Sequence, residues 1–322
     1  MTPMDRGNAR PILEVVDVGK RYGARRALER LRFTVRGGEV VGLLGPNGAG
    51  KTTALSILSS VLSPDVGRVA IDGRSLHEDR SLRRRIGLVP QSLAIYPTLS
   101  PAQNVTYFGR MQGLSRPAAA TAAAEALEAV GLAERAHDAT YALSGGMQRR
   151  LNLACGIVHR PAVLLLDEPT VGVDIESRER LLALVHRLRD AGSAIVYSTH
   201  YMEEAERLCD RVLLLDRGTL AADDTVEALI ARAGSRPRME LTYRGGAPAA
   251  ALVAIEGVHE LPGSRGEGRL ALEMESLSQV PLVLERLRAA GIAVLDFSLH
   301  SPNLADAFLA LTGQSLGEAA AA

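Results

Sequence analysis

Along the chain, short apolar runs repeatedly end in a polar residue with chemistry to offer. Residues 40–44 (Val-Val-Gly-Leu-Leu) run into Gly45, and residues 86–89 run into Pro90-Gln91. Residues 163–166 lead to Asp167-Glu168, and residues 194–198 lead to Thr199-His200. Runs without polar alternation are the pattern of parallel strands buried on both faces, and ligands of such sheets sit beyond the carboxyl ends of the strands. The four polar groups are therefore expected to converge on one ligand in an α/β fold. Ahead of them, residues 12–18 and 28–35 read as strands separated by a turn at Tyr22-Gly23, and residues 67–73 as a third strand of that kind.

Between Gln91 and Asp167 the period becomes helical. Residues 118–130 are rich in Ala, Leu and Glu, all strong helix formers. Met147, Leu151, Ala154 and Val158 recur at i, i+4, i+7 and i+11, one face of a helix. That helix begins at Ser144-Gly145-Gly146, so its positive end is an anion site flanked by a hydroxyl and flexible backbone. Beyond residue 230 the texture changes. Residues 233–237 (Ala-Gly-Ser-Arg-Pro) read as a linker. Strands are expected at 239–243, 269–274 and 293–299, and helices at 247–255, 280–290 and 303–311, which together suit a small α+β domain of ferredoxin-like pattern. Residues 319–322 read as a disordered tail.

Composition narrows the function classes. The 322 residues suffice for about two domains with real cores. Lys and Arg together balance Asp and Glu at 37 each, which leaves no global footprint for nucleic acid or an anionic membrane. Two cysteines, Cys155 and Cys209, are too few for a disulfide framework and lack metal-ligand spacing, as suits a reducing compartment. Residues 1–11 lack the apolar core of a signal peptide. The longest uncharged stretch, 86–109, contains three prolines and does not read as a membrane span, so a soluble chain is expected. The Arg83-Arg84-Arg85 run reads as a solvated face.

The chemistry centres on Gly45-Pro46-Asn47-Gly48-Ala49-Gly50-Lys51-Thr52. It lies between an apolar strand and a helix expected from Thr53, the context that GxxxxGK[ST] requires. Its glycines let successive N–H groups curl toward a phosphate. Lys51 can reach the β- and γ-phosphates, and the Thr52 hydroxyl can ligate Mg²⁺. Only Lys20 and Lys51 are lysines, so a compact ammonium survives here in a chain otherwise served by arginine. Asp167 can hold Mg²⁺, and Glu168 is placed to polarise a water. No NKxD guanine motif occurs, which argues against a GTPase.

Leu143-Ser144-Gly145-Gly146-Met147-Gln148-Arg149-Arg150, with Gln91, Asp167-Glu168 and His200 in that order, resembles the ATP-binding cassette (ABC) ATPases over residues 12–224. The resemblance implies a P-loop NTPase of ABC type, with a mixed sheet core carrying an antiparallel β subdomain and a helical subdomain. The expected division is an extension at 1–11, an ATPase domain at 12–232 with its helical subdomain at about 92–160, an accessory α+β domain at 237–316, and a tail at 317–322. It further implies that Tyr22 stacks on adenine while Gly45 through Thr53 hold the phosphates. Thr52, Gln91 and Asp167 would serve Mg²⁺, Glu168 would act as base, and His200 would contact the γ-phosphate. Ser144, Gly145, Gly146, Gln148 and Asp174 would meet ATP across a homodimer. Val173 and Ile175 depart from the family's usual neighbours of that Asp.

Residues 170–178, 200–206 and 304–313 are similar to ABC-2-type exporter ATPases of the daunorubicin-resistance kind. That likeness implies a cytoplasmic subunit on the inner face of the cell membrane, powering export of a drug, lipid or polysaccharide through a separate integral membrane permease. Ile95, Tyr96 and Leu99 either dock that permease or pack the helical subdomain. The competing class is a non-transport cassette acting on ribosomes or DNA.

Overall fold

A computed structural model describes residues 10–246, 248, 252, 255–261 and 268–313. It divides into two compact units, one reaching Val226 and the other spanning Glu227–Gly313.

The first unit opens with an antiparallel sheet of order β2-β1-β4-β5, made of β1 (Pro11–Tyr22), β2 (Arg25–Arg36), β4 (Val66–Ile71) and β5 (Arg74–Ser75). The second sheet has order β10-β9-β3-β8-β7-β6. Its strands are β3 (Val40–Leu44), β6 (Ile86–Val89), β7 (Val163–Asp167), β8 (Ala194–Thr199), β9 (Arg211–Asp216) and β10 (Thr219–Asp224). The pairs β6–β7, β7–β8, β8–β3 and β3–β9 are parallel, and only β10 runs antiparallel. Every residue of β3, β7 and β8 is buried, which explains their unbroken apolar runs.

The two faces of these strands nevertheless serve different clusters. Val41, Leu43, Leu165 and Val196 pack with the antiparallel sheet and with Leu55 and Leu58 of α1 (Lys51–Leu58). Val40, Leu164, Leu166 and Tyr197 pack with Leu127, Leu151 and Leu181 on the other side. Those leucines belong to α3 (Arg116–Ala129), α4 (Gly145–Ile157) and α5 (Ile175–Asp190). Core side chains therefore alternate with the period-2 geometry of a strand although neither face is polar.

Helix boundaries follow local capping. α1 starts at Lys51, two residues before the expected Thr53, because Gly50 adopts φ 110° as N-cap and turns the chain into the helix. α2 (Pro101–Met111) begins with a capping box between Ser100 and Gln103, and α3 with Ser115 accepting from the Ala118 N–H. Buried Asn104 in α2 accepts from the Tyr96 N–H at 2.7 Å and donates to the Tyr96 carbonyl at 3.0 Å, pinning the segment after Gln91 onto this helical layer.

The second unit has a sheet of order β12-β13-β11-β14, all antiparallel. Its strands are β11 (Arg238–Arg244), β12 (Val258–Glu260), β13 (Arg269–Met274) and β14 (Ala293–His300). Met239, Leu241, Leu272 and Met274 face Val283 and Leu287 of α8 (Val280–Ala289). α7 (Val226–Ala233) precedes this sheet and α9 (Leu304–Thr312) follows it. Three of these strands were legible from the sequence, whereas three-residue β12 was too short to signal. The helix expected at 247–255 lies largely outside the described residues, as do residues 1–9 of the N-terminal extension, residues 314–316 of the accessory domain and the tail at 317–322. Among the described residues, no helix is long and apolar enough to cross a membrane.

Candidate active site

Strand register sets the site. Leu44 pairs with Thr199, Asp167 with Ser198, and Val89 with Leu166. The carboxyl ends of β3, β6, β7 and β8 therefore share one edge of the sheet, and the residues that follow them meet there.

The phosphate loop leaves β3 through Gly45, where a Cβ would lie 2.2 Å from the Leu215 carbonyl oxygen, so no larger residue fits without moving β9. At the other end of the loop Lys51 is 6 % exposed. Its ammonium donates to the Gly45 carbonyl at 2.7 Å and the Pro46 carbonyl at 3.3 Å, and lies 3.6 Å from Glu168 Oε1. Burial pushes its pKa below the usual lysine range, while the charges of Glu168 and Asp167 oppose that shift. A desolvated cation bound only to neutral carbonyls and a shared carboxylate is well prepared to exchange them for phosphate oxygens.

Glu168 is the hub. Gln91 Nε2 donates to its Oε2 at 2.9 Å, and His200 Nδ1 lies 3.3 Å from the same oxygen without closing a hydrogen bond. Its backbone is left-handed, φ 45°, a conformation that costs a non-glycine residue roughly 1–3 kcal/mol and persists only where neighbours impose it. The neighbour here is Ser198, whose hydroxyl and carbonyl oxygens both accept the Glu168 N–H at 3.1 Å. Ser198 Oγ also donates to Asp167 Oδ1 at 2.6 Å. One serine thus fixes both acidic residues.

A cleft of about 340 Å³ opens beside this hub, lined among others by Tyr22, Arg25, Asn47, Lys51, Thr52, Gln91 and Glu168. Tyr22 is 52 % exposed at its rim. An exposed ring at the mouth of such a cleft offers a flat face on which a planar base could stack. The hydroxyl of Thr52, the amide of Gln91 and the carboxylate of Asp167 are hard oxygen donors containing a single charge. That set fits Mg²⁺, which keeps several waters and takes its remaining ligands from substrate phosphates.

The structure separates a second group from this cleft. Ser144 caps α4, accepting from the Met147 N–H at 3.3 Å, and Gly145 and Gly146 form the helix's first turn. Gly146 lies so close to the start of α5 that a Cβ would stand 2.6 Å from Ser177 Oγ and 2.8 Å from Asp174 Oδ2. Asp174 caps α5 through the Ser177 N–H at 2.8 Å, and that bond holds its carboxyl below the usual range. Gln148 Nε2 donates to the Leu143 carbonyl at 3.1 Å and the Thr140 carbonyl at 3.4 Å, bracing the loop ahead of its own helix. None of these five residues lines the cleft of the same chain.

Sequence reasoning missed Arg25 and Ser198. It also missed Arg149, which donates to the Gln91 carbonyl and, at 3.2 Å, to the Val171 carbonyl. No sequence pattern distinguishes such an arginine from its solvated neighbours.

Comparison with known proteins places these features in context. Residues 28–171 match the family described as ABC transporter. The linearmycin resistance ATP-binding protein LnrL of Bacillus subtilis is 38% identical over 310 residues, 95% of this chain and 99% of that protein. The doxorubicin resistance ATP-binding protein DrrA of Mycobacterium tuberculosis is 38% identical, with 92% of each chain covered. The Nod factor export ATP-binding protein I of Burkholderia orbicola is 37% identical over 93% of this chain and 96% of its own length. Among solved structures, an ATP-binding subunit of an ABC transporter superposes with a TM-score of 0.64 at 28% identity, covering 69% of this chain and 93% of that one. A dimeric ATP-binding cassette in a post-hydrolysis state with ADP and Pi superposes with a TM-score of 0.61 at 27% identity, covering 66% and 98%.

Proposed function

The chain belongs to the ABC transporter ATP-binding family, and from that membership we propose that it hydrolyses ATP to drive export through a separate membrane permease. Relatives named for drug resistance and for Nod factor export match it over nearly their whole length, which supports an exporter. The observation that carries the catalytic part is the convergence of Lys51, Gln91 and His200 on Glu168 beside the phosphate-loop cleft.

In this reading adenine stacks on Tyr22, and the backbone N–H groups from Gly45 to Thr53 wrap the phosphates. Lys51 trades the Gly45 and Pro46 carbonyls for β- and γ-phosphate oxygens. Thr52, Asp167 and Gln91 would hold Mg²⁺, which would supply neutralisation of charge on the phosphate oxygens. Glu168 Oε2 takes a proton from the attacking water, and His200 fixes that water and the γ-phosphate in line. Gln91 loses its bond to Glu168 when the cleft fills, which couples occupancy to the segment pinned by Asn104.

Two copies would close on two nucleotides, each cleft receiving Ser144, Gly145, Gly146, Gln148 and Asp174 from the other subunit. The positive end of α4 then adds charge-assisted bonds to the γ-phosphate, and hydrolysis removes that bridge. The dimeric cassette among the solved relatives supports this arrangement. The permease would dock on the helical layer, in a groove of about 1130 Å³ lined by Leu99, Gln103, Tyr107, Met111 and Leu114 among others. Tyr107 and Met111 are exposed there, whereas Ile95 is partly buried against the helical core. This docking would place the chain at the inner face of the cell membrane.

The test is purification of the tagged chain from its native membranes in mild detergent. An integral membrane protein recovered in about equal amount, with ATPase activity in the complex, is the expected result. Recovery with ribosomes or DNA-repair factors, and without a membrane partner, would overturn the exporter reading.

A further inference from the structure

Glu204 is a buried carboxylate that the mechanism above leaves unused. It lies in α6 (Met202–Leu208) and is 3 % exposed. Its Oε2 accepts from Thr170 Oγ1 at 2.9 Å, Tyr197 Oη at 2.9 Å and Thr199 Oγ1 at 3.2 Å. Among the described residues, Oε1 makes no hydrogen bond and faces Arg178 Nε, likewise unbonded, at 3.5 Å. The Arg178 guanidinium in turn lies 5.1 Å from the centre of the Tyr201 ring.

The placement of the three hydroxyls is what matters. Thr170 stands two residues after Glu168, and Thr199 immediately precedes His200. Thr199 Oγ1 also accepts the Tyr201 N–H at 3.0 Å, so His200 is gripped on both sides. Burial and the adjacent Glu204 charge push the Tyr197 hydroxyl well above its usual pKa, which keeps it a donor. An anion withdrawn from water is unfavourable unless such bonds compensate it. A site needing stability alone would be served by apolar packing. A buried charge bonded to both catalytic loops has a more specific use.

We propose that Glu204 is a positioning residue that locks the loop bearing Glu168 and the loop bearing His200 into one geometry, holding His200 Nδ1 3.3 Å from Glu168 Oε2. Arg178 extends the lock to α5, the helix that Asp174 caps. The inference rests on the reading of Glu168 as base and His200 as its neighbour in catalysis. Small displacements of such groups cost turnover steeply, about a hundredfold for roughly 1 Å.

The test is steady-state ATP hydrolysis by the full chain as a function of ATP concentration, with thermal unfolding measured alongside. For Glu204→Gln we expect kcat to fall about ten- to a hundredfold with KM changed less than about twofold. Thr170→Val and Thr199→Val remove one hydroxyl each at nearly constant volume. They should reproduce part of that loss, and they keep the test decisive if Glu204→Gln fails to fold. The double variant Glu204→Gln/Thr170→Val should be no slower than Glu204→Gln, because the two residues act as one unit. Parental kcat in both threonine variants, or losses that multiply in the double variant, would overturn the inference. Glu168→Gln, run in parallel, keeps the two readings apart. If it turns over at the parental rate the base assignment falls, and the Glu204 inference then stands only if Glu204→Gln still loses kcat.

Discussion

Replacing Glu168 by Gln isolates the proton acceptor from everything else that residue does. The carboxylate is 7 % exposed and touched by Gln91 at 2.9 Å, His200 at 3.3 Å and Lys51 at 3.6 Å. An amide of the same shape keeps an acceptor oxygen for the Gln91 Nε2 bond, with its NH₂ on the Lys51 side, and the Glu168 N–H retains its bonds to Ser198. The left-handed turn and the cleft should therefore survive. What disappears is a group able to take the proton of water. General-base assistance is worth about 10²–10⁴-fold, or roughly 2.7–5.4 kcal/mol on the barrier at about 1.36 kcal/mol per tenfold. ATP affinity should hold or tighten, because the lost negative charge stands where the γ-phosphate arrives. Phosphate release at saturating ATP gives the rate, calorimetry the affinity, and light scattering with ATP the dimer that hydrolysis no longer breaks. Turnover within about threefold of the parent would refute the base assignment; a parallel loss of rate and affinity would refute the claim that the site keeps its shape.

Tyr22→Ala should weaken ATP binding by about 1–3 kcal/mol of stacking while leaving the melting temperature unchanged, since the ring is half exposed; calorimetry decides it. His159 gives a pH test. Burial lowers its pKa, although its Nε2 bond to the Ile86 carbonyl at 3.0 Å favours the charged form, and among the described residues its Nδ1 has no partner. The unfolded chain then binds the proton more readily, so stability is present above the unfolded value of about 6.5 and is lost as pH falls below it. The slope from this group cannot exceed about 1.4 kcal/mol per pH unit. His159→Gln should flatten the urea midpoint between about pH 5 and 7, and an unchanged slope would assign it elsewhere.

The sheet edge that carries the site was legible because its strands are buried on both faces and stop at polar residues. Gln91, Asp167, Glu168 and His200 all stood out by position along the chain. Ser198 did not: it ends an apolar run and looks like part of the strand, yet its one hydroxyl fixes Asp167 and the Glu168 backbone. Glu204 was hidden for the opposite reason. In Met202-Glu203-Glu204-Ala205-Glu206 it resembles its solvated neighbours, and only the arrival of hydroxyls from β8 and from Thr170 distinguishes it. Arg150 is a charged residue with only 7 % exposure, donating to the Val130 carbonyl at 2.7 Å. Polar groups whose partners are distant in sequence leave no periodic trace.

The scarcity of lysine has a practical corollary. The chain offers two side-chain amines, and Lys20 is held by Asp65 at 2.7 Å and by the Ser63 carbonyl at 2.9 Å. The other, Lys51, lies inside the phosphate loop, where burial lowers its pKa. An acylating reagent thus becomes a clock for occupancy: modification of Lys51 records the moments when the loop stands empty, against Lys20 as an internal reference in every molecule.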